Sequence, residues 1–136
     1  MNAKVDQFWD NLRERLNRVE ARLNKARTNI QALPGQAEKA VRERLSELRR
    51  KLLTQKDRVD KARANLEAHA QQKVTETIEA IDQWKASREA RKLLARADRA
   101  EANAADALEF AEFVVGQAEE AVFEAVVARI DAKAAQ

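Results

Sequence analysis

Residues 5–33 read VDQFWDNLRERLNRVEARLNKARTNIQAL and run directly into Pro34-Gly35. Val5, Trp9, Leu12, Leu16, Val19, Leu23, Ala26, Ile30 and Leu33 follow one another at alternating spacings of four and three. That is a strict heptad. Trp9, Leu16, Leu23 and Ile30 hold one core position, and Val5, Leu12, Val19, Ala26 and Leu33 hold the other. The spacing predicts an amphipathic helix over about 2–33. It ends at Pro34-Gly35, because proline cannot continue the hydrogen-bond ladder and glycine opens the turn.

Beyond that turn, the chain from Gln36 to Gln136 has no proline and one glycine, Gly116. One unbroken helix of this length would span roughly 150 Å, so a break is expected. Val41, Leu45, Leu48, Leu52, Gln55, Val59, Ala62 and Leu66 form a second heptad stripe. It slips by one position near Ala70, and Val74, Ile78 and Ile81 continue in a new register, which is a stutter. Ser87 is a candidate cap for a new helix, with a turn around Trp84 to Ser87. The second helix is therefore expected over about 36–84 and the third over about 88–134.

The third helix carries an internal repeat. Ala90, Ala97, Ala104, Ala111, Ala118, Ala125 and Ala132 recur every seven residues. Small side chains in register let helices approach closely, so this face is expected to pack tightly. Residues 107–130 add Phe110, Phe113, Phe123, Val126, Val127 and Ile130. A helix apolar nearly all round is normally buried, and one bundle is not expected to cover it. The candidate self-association face is accordingly Ala97, Ala104, Ala111, Val115, Ala118 and Val122, together with Phe110, Phe113, Phe123 and Val127.

Composition agrees with the periodicity. Of 136 residues, 36% are charged and 28 are alanine, with two glycines and one proline. Few breakers among many Ala, Glu, Lys, Arg and Leu are the profile of long helices. The chain has no cysteine, which excludes disulfides and thiolate chemistry. The N-terminus is polar and lacks the apolar core of a signal peptide. No stretch reaches the length of uncharged apolar sequence that a transmembrane helix needs. A cytoplasmic location is the expectation.

Charge is unevenly spread. Residues 1–104 hold 24 basic and 16 acidic side chains, and residues 105–136 hold two basic and seven acidic ones. On the second helix the heptad flanks are basic: Arg42, Arg49, Lys56 and Arg63 on one side, Arg44, Lys51 and Arg58 on the other. Such flanks select an oppositely charged neighbour. If the chain reverses near residue 86, Glu112 falls beside residue 60 and Glu120 beside residue 52. The expected fold is all-α: long antiparallel helices in a three-helix bundle of residues 1–33, 36–67 and 105–136. Residues 68–104 would project from it as a coiled-coil hairpin, and the assembly would be a dimer. A helix running straight through residue 86 in a swapped dimer satisfies the same charges.

Catalytic constellations are missing. His69 is the only histidine and has no neighbours at metal-ligand spacing; residue 66 is leucine, so no Glu-x-x-His pair forms. Isolated Gly35 and Gly116 make no phosphate loop. Glu119 and Glu120 are adjacent in sequence and so diverge on a helix. No enzyme, cofactor or metal is expected. The hairpin offers a partner-binding surface through Trp84, Lys85 and Arg88, then Arg91, Lys92, Arg96 and Arg99. Clustered cations beside an aromatic ring suit an acidic protein surface or phosphates, although Glu76, Glu79, Asp82, Glu89 and Asp98 dilute them. The expected function is that of a structural or scaffold protein acting by helix–helix binding and self-association. Contact with lipid or another hydrophobic surface is the alternative, and nucleic-acid binding ranks third. Long amphipathic helices of this kind resemble apolipoproteins, phasins and spectrin-like repeats in architecture alone, which does not license a function.

Overall fold

The computed structural model describes residues 3–73 and 76–136. Regular structure among them is entirely helical: α1 (Ala3–Gln31), a 3-10 turn (Leu33–Gly35), α2 (Glu38–Lys73), α3 (Ile78–Ala86) and α4 (Ala90–Ala134). Asn2, the predicted start of the first helix, and Val74, part of the shifted stripe, lie outside the described residues. Among the described residues no helix is long and apolar enough to cross a membrane.

Pro34 makes the first reversal. It sits in the first positions of the 3-10 turn, where its missing N–H costs nothing. The Gly35 N–H donates to the Ala32 carbonyl at 3.2 Å and the Gln36 N–H to that of Leu33 at 3.1 Å. Gly35 contributes less than its type suggests, for its φ is not positive and a methyl group there would meet nothing within 4 Å.

The stretch predicted as one helix over 36–84 is two helices. α2 stops at Lys73, and α3 starts at Ile78 behind Thr77, whose Oγ1 accepts the Ala80 N–H at 3.1 Å. Thr77 is a better cap than a mid-helix residue, since its branched side chain loses rotamer freedom inside a helix. The stutter read near Ala70 thus precedes a break.

The second reversal falls at the expected place by a different device. Ser87 is the C-cap of α3, not the N-cap of the next helix. Arg88 takes a left-handed conformation, φ 54°. The Glu89 N–H then reaches the Trp84 carbonyl at 2.9 Å, and the Arg88 N–H reaches that of Lys85 at 3.2 Å. This is a Schellman ending with arginine where glycine is usual, so no glycine marked it in the sequence. Glu89 is the N-cap of α4 and makes no side-chain capping bond.

α4 is the axis of the bundle. α1 and α2 each pack along it rather than on each other, and α3 folds back on its first turns. α2 runs antiparallel to α4, since Arg42 pairs with Asp131, Arg49 with Glu120 and Glu124, and Arg58 with Glu109. These pairs match the register that reversal near residue 86 requires. α1 runs parallel to α4: Arg15 and Arg18 border Leu108 and Glu112, and Arg22 meets Glu119. The core is Leu33, Val41, Leu45 and Phe123, with Ile30, Leu48, Val122, Val126 and Val127 packed against it. Within residues 68–104, α1 still accompanies α4: Val5 and Phe8 border Leu94 and Ala97 across a groove of about 770 Å³.

Candidate interaction surfaces

The predicted self-association face divides in the folded chain. Phe123 is 1% exposed in the core, and Val127 and Val122 pack against that core. Phe110 lies half-buried with the Arg63 guanidinium 6.0 Å from its ring centroid. Phe113 lines a recess between α2 and α4 with Leu52, Leu53 and Val59. Phe123 is therefore unavailable to any partner: the turn at Pro34 brings α1 and α2 over it, a coverage that periodicity on one helix cannot reveal. The alanine repeat is not the packed seam expected of it. Ala104 and Ala111 are half-buried, whereas Ala90, Ala97, Ala118, Ala125 and Ala132 are exposed. Val115 is half-buried. α4 instead meets α1 and α2 through Glu112, Gly116, Glu119 and Phe123, which recur at spacings of three and four.

Gly116 and Glu119 form a polar layer that the sequence reading missed. Glu119 is 1% exposed. It accepts from Arg22 Nη2 at 3.0 Å and from Asn29 Nδ2 at 2.9 Å, and Asn29 Oδ1 accepts from Arg44 Nη2 at 3.2 Å. One carboxylate thereby ties α4 to α1 and, through Asn29, to α2. Gly116 makes the room: a Cβ there would lie 3.1 Å from Leu52 Cδ2 and 3.3 Å from Arg22 Nη2. Glu120, one residue on, points to Arg49 on α2, so the two carboxylates do diverge. A lone glycine three residues before a glutamate, inside an alanine-rich helix, was the available signal.

The basic hairpin is partly neutralised internally. Arg99 and Arg96 both pair with Glu76, and Lys92 pairs with Glu89 at 3.3 Å while lying 5.7 Å from the Trp84 ring centroid. Lys85, Arg88 and Arg91 are exposed, and among the described residues none of them makes an ion pair. On the opposite end of the bundle, the hydrogen bonds that the Arg42 guanidinium donates to Asp131 and then to Glu38 raise its pKa above the usual range. This cation is committed to fixing α2 on α4. Among the described residues no group of three or more His, Cys, Asp or Glu side chains is placed to hold a metal ion.

The surface that stands out lies on α1. Trp9, Leu16 and Leu23 are each 49% exposed, although they hold a heptad core position. Val5, Leu12 and Val19 at the other position are half-buried, and Ala26 and Leu33 are buried. α1 thus turns one heptad position toward α4 and leaves most of the other open. Sequence reasoning counted both as core, because periodicity does not distinguish a neighbour in the same chain from one outside it. No family model, curated protein or solved structure matches this chain.

Proposed function

We propose that this chain is a non-enzymatic structural or scaffold protein that works through helix–helix contacts with other protein chains and with itself. One observation carries the reading: an apolar stripe at heptad spacing, Trp9–Leu16–Leu23, lies half-exposed on an otherwise charged helix. Helices recognise helices through anchors at this spacing. On this reading α1, α2 and the C-terminal half of α4 act as a three-helix bundle. α3 and the start of α4 form a hairpin that offers Lys85, Arg88 and Arg91 to an acidic surface, and the protein works in the cytoplasm.

The lipid-surface reading draws less support, since Phe123 is buried and the segment around it is acidic, whereas helices that lie on membranes favour lysine and arginine. Nucleic-acid binding is weakened by the carboxylates already paired with Lys92, Arg96 and Arg99. The test is a photo-crosslinking side chain placed at Trp9 or at Lys85 in the full chain, activated in native cytosol. Discrete protein adducts are expected. Adducts confined to lipid or nucleic acid would overturn the proposal.

A further inference from the structure

We propose that two copies of this chain associate through α1 as an antiparallel pair with two-fold symmetry, Leu16 lying on the axis and Trp9 of each copy against Leu23 of the other. The inference rests on the helix–helix reading above and names both the partner and the register.

The stripe itself supplies the first part of the argument. Trp9, Leu16 and Leu23 are equally exposed and evenly spaced. Ile30 continues the same heptad position yet packs against the core, because the turn brings Val41 and Leu45 to it. Two-fold pairing uses the same surface on both copies, and Leu16 is the midpoint of the open stripe.

The flank supplies the second part. Three residues before Trp9, Leu16, Leu23 and Ile30 stand Asp6, Arg13, Glu20 and Arg27, all exposed. Their signs alternate. About a dyad at Leu16, Asp6 faces Arg27 of the second copy and Arg13 faces Glu20, so all four rim pairs are opposite in charge. Sliding one copy by a heptad in one direction sets Arg13 against Arg13 and Asp6 against Glu20. Sliding it the other way sets Glu20 against Glu20 and Arg13 against Arg27. Every pair is then repulsive. Alternating charge therefore favours this antiparallel register over those one heptad away and gives it the most opposite pairs, as flanking residues do in coiled coils. A dyad parallel to the helices would move this flank away from its counterpart and form none of these pairs.

The chain has no cysteine, so single cysteines report on register without background. Leu16→Cys is expected to form a disulfide-linked dimer on mild oxidation. Trp9→Cys alone should not, whereas a mixture of Trp9→Cys and Leu23→Cys should. In sedimentation equilibrium at low salt, Arg13→Glu and Glu20→Arg should each weaken the dimer on the order of 10-fold by reversing two rim pairs. The double exchange should restore it. Rim side chains are exposed, so circular dichroism is expected to show all of these variants folded. A wild-type chain that stays monomeric overturns the proposal, as does Trp9→Cys linking to itself as readily as Leu16→Cys, or a double exchange that fails to restore pairing. A dimer indifferent to every α1 variant overturns this surface while leaving self-association intact, and protein adducts from the crosslinking test would still support the scaffold reading.

Discussion

Replacing Arg22 by alanine tests the polar layer most directly. Glu119 is 1% exposed and accepts two side-chain bonds, at 3.0 Å from Arg22 and 2.9 Å from Asn29. Arg22→Ala removes the charged donor and leaves a buried carboxylate with one amide partner. Breaking a buried pair from one side costs about 3–5 kcal/mol. Arg44 still reaches the site through Asn29, which places the expectation near the lower bound, about 3 kcal/mol. Glu119→Leu should cost less, about 1–2 kcal/mol, because the Arg22 side chain is 21% exposed and can turn to water. The double replacement Arg22→Met with Glu119→Leu leaves no buried charge and should fall between neutral and a gain of about 1–4 kcal/mol. Urea titration followed by far-UV circular dichroism reads all three. Protein concentration is held fixed, since self-association would shift the midpoints. With Arg22→Met measured alone to close the cycle, the coupling between the two sites should be at least about 2 kcal/mol. An Arg22→Ala cost below about 1 kcal/mol, or a double variant as unstable as the sum of two singles, would refute a structural role for this layer.

Phe123→Ala should cost about 3–5 kcal/mol in the same titration, while Leu53→Ala, at a side chain 70% exposed, should stay within about 0.5 kcal/mol. Equal effects would contradict the assigned core. Gly116→Ala gains about 1 kcal/mol of helix propensity but sets a methyl 3.1 Å from Leu52 and 3.3 Å from an arginine held by Glu119; a net loss of about 1 kcal/mol is expected, relieved when Leu52→Ala is added. Arg88→Gly should raise stability by about 1 kcal/mol by removing a side chain from a left-handed position, seen as a higher thermal midpoint, and an unchanged or lower midpoint would argue against that turn.

Helix class, the first reversal and the α2–α4 register were legible because each has a signal along one segment: heptad spacing, a proline, and basic flanks matched by a distant acidic run. The rest depended on where segments meet. Thr77 and Arg88 end and redirect helices through hydrogen bonds to backbone groups three to five residues away, and neither position carries the glycine or proline that punctuates most breaks. Nothing along α4 marks Glu119 as buried, since only the approach of Arg22 and Asn29 from α1 makes its burial tolerable. Within the chain the alanine repeat seats no neighbour along most of its length. Its seven-residue period is real, but a period fixes only that residues share a face, and the neighbours of α4 lie against Gly116 and Phe123 instead.

The same distinction accounts for the open stripe on α1. A packed amphipathic helix ordinarily covers both apolar heptad positions, whereas α1 turns Val5, Leu12, Val19 and Ala26 toward α4. The other heptad position, carried over about four turns by Trp9, Leu16 and Leu23, stays half-exposed. α2 does not take it up, because the backbones of α1 and α2 pack on α4 rather than on each other. Only Ile30, closest to the shared turn, gains cover from both. α1 is thus patterned for two neighbours and has one along most of its length. The charges beside the vacant position, Asp6, Arg13, Glu20 and Arg27, follow an order that is complementary to itself when reversed. A surface merely tolerated by solvent has no need of that order, whereas a second copy of α1 does.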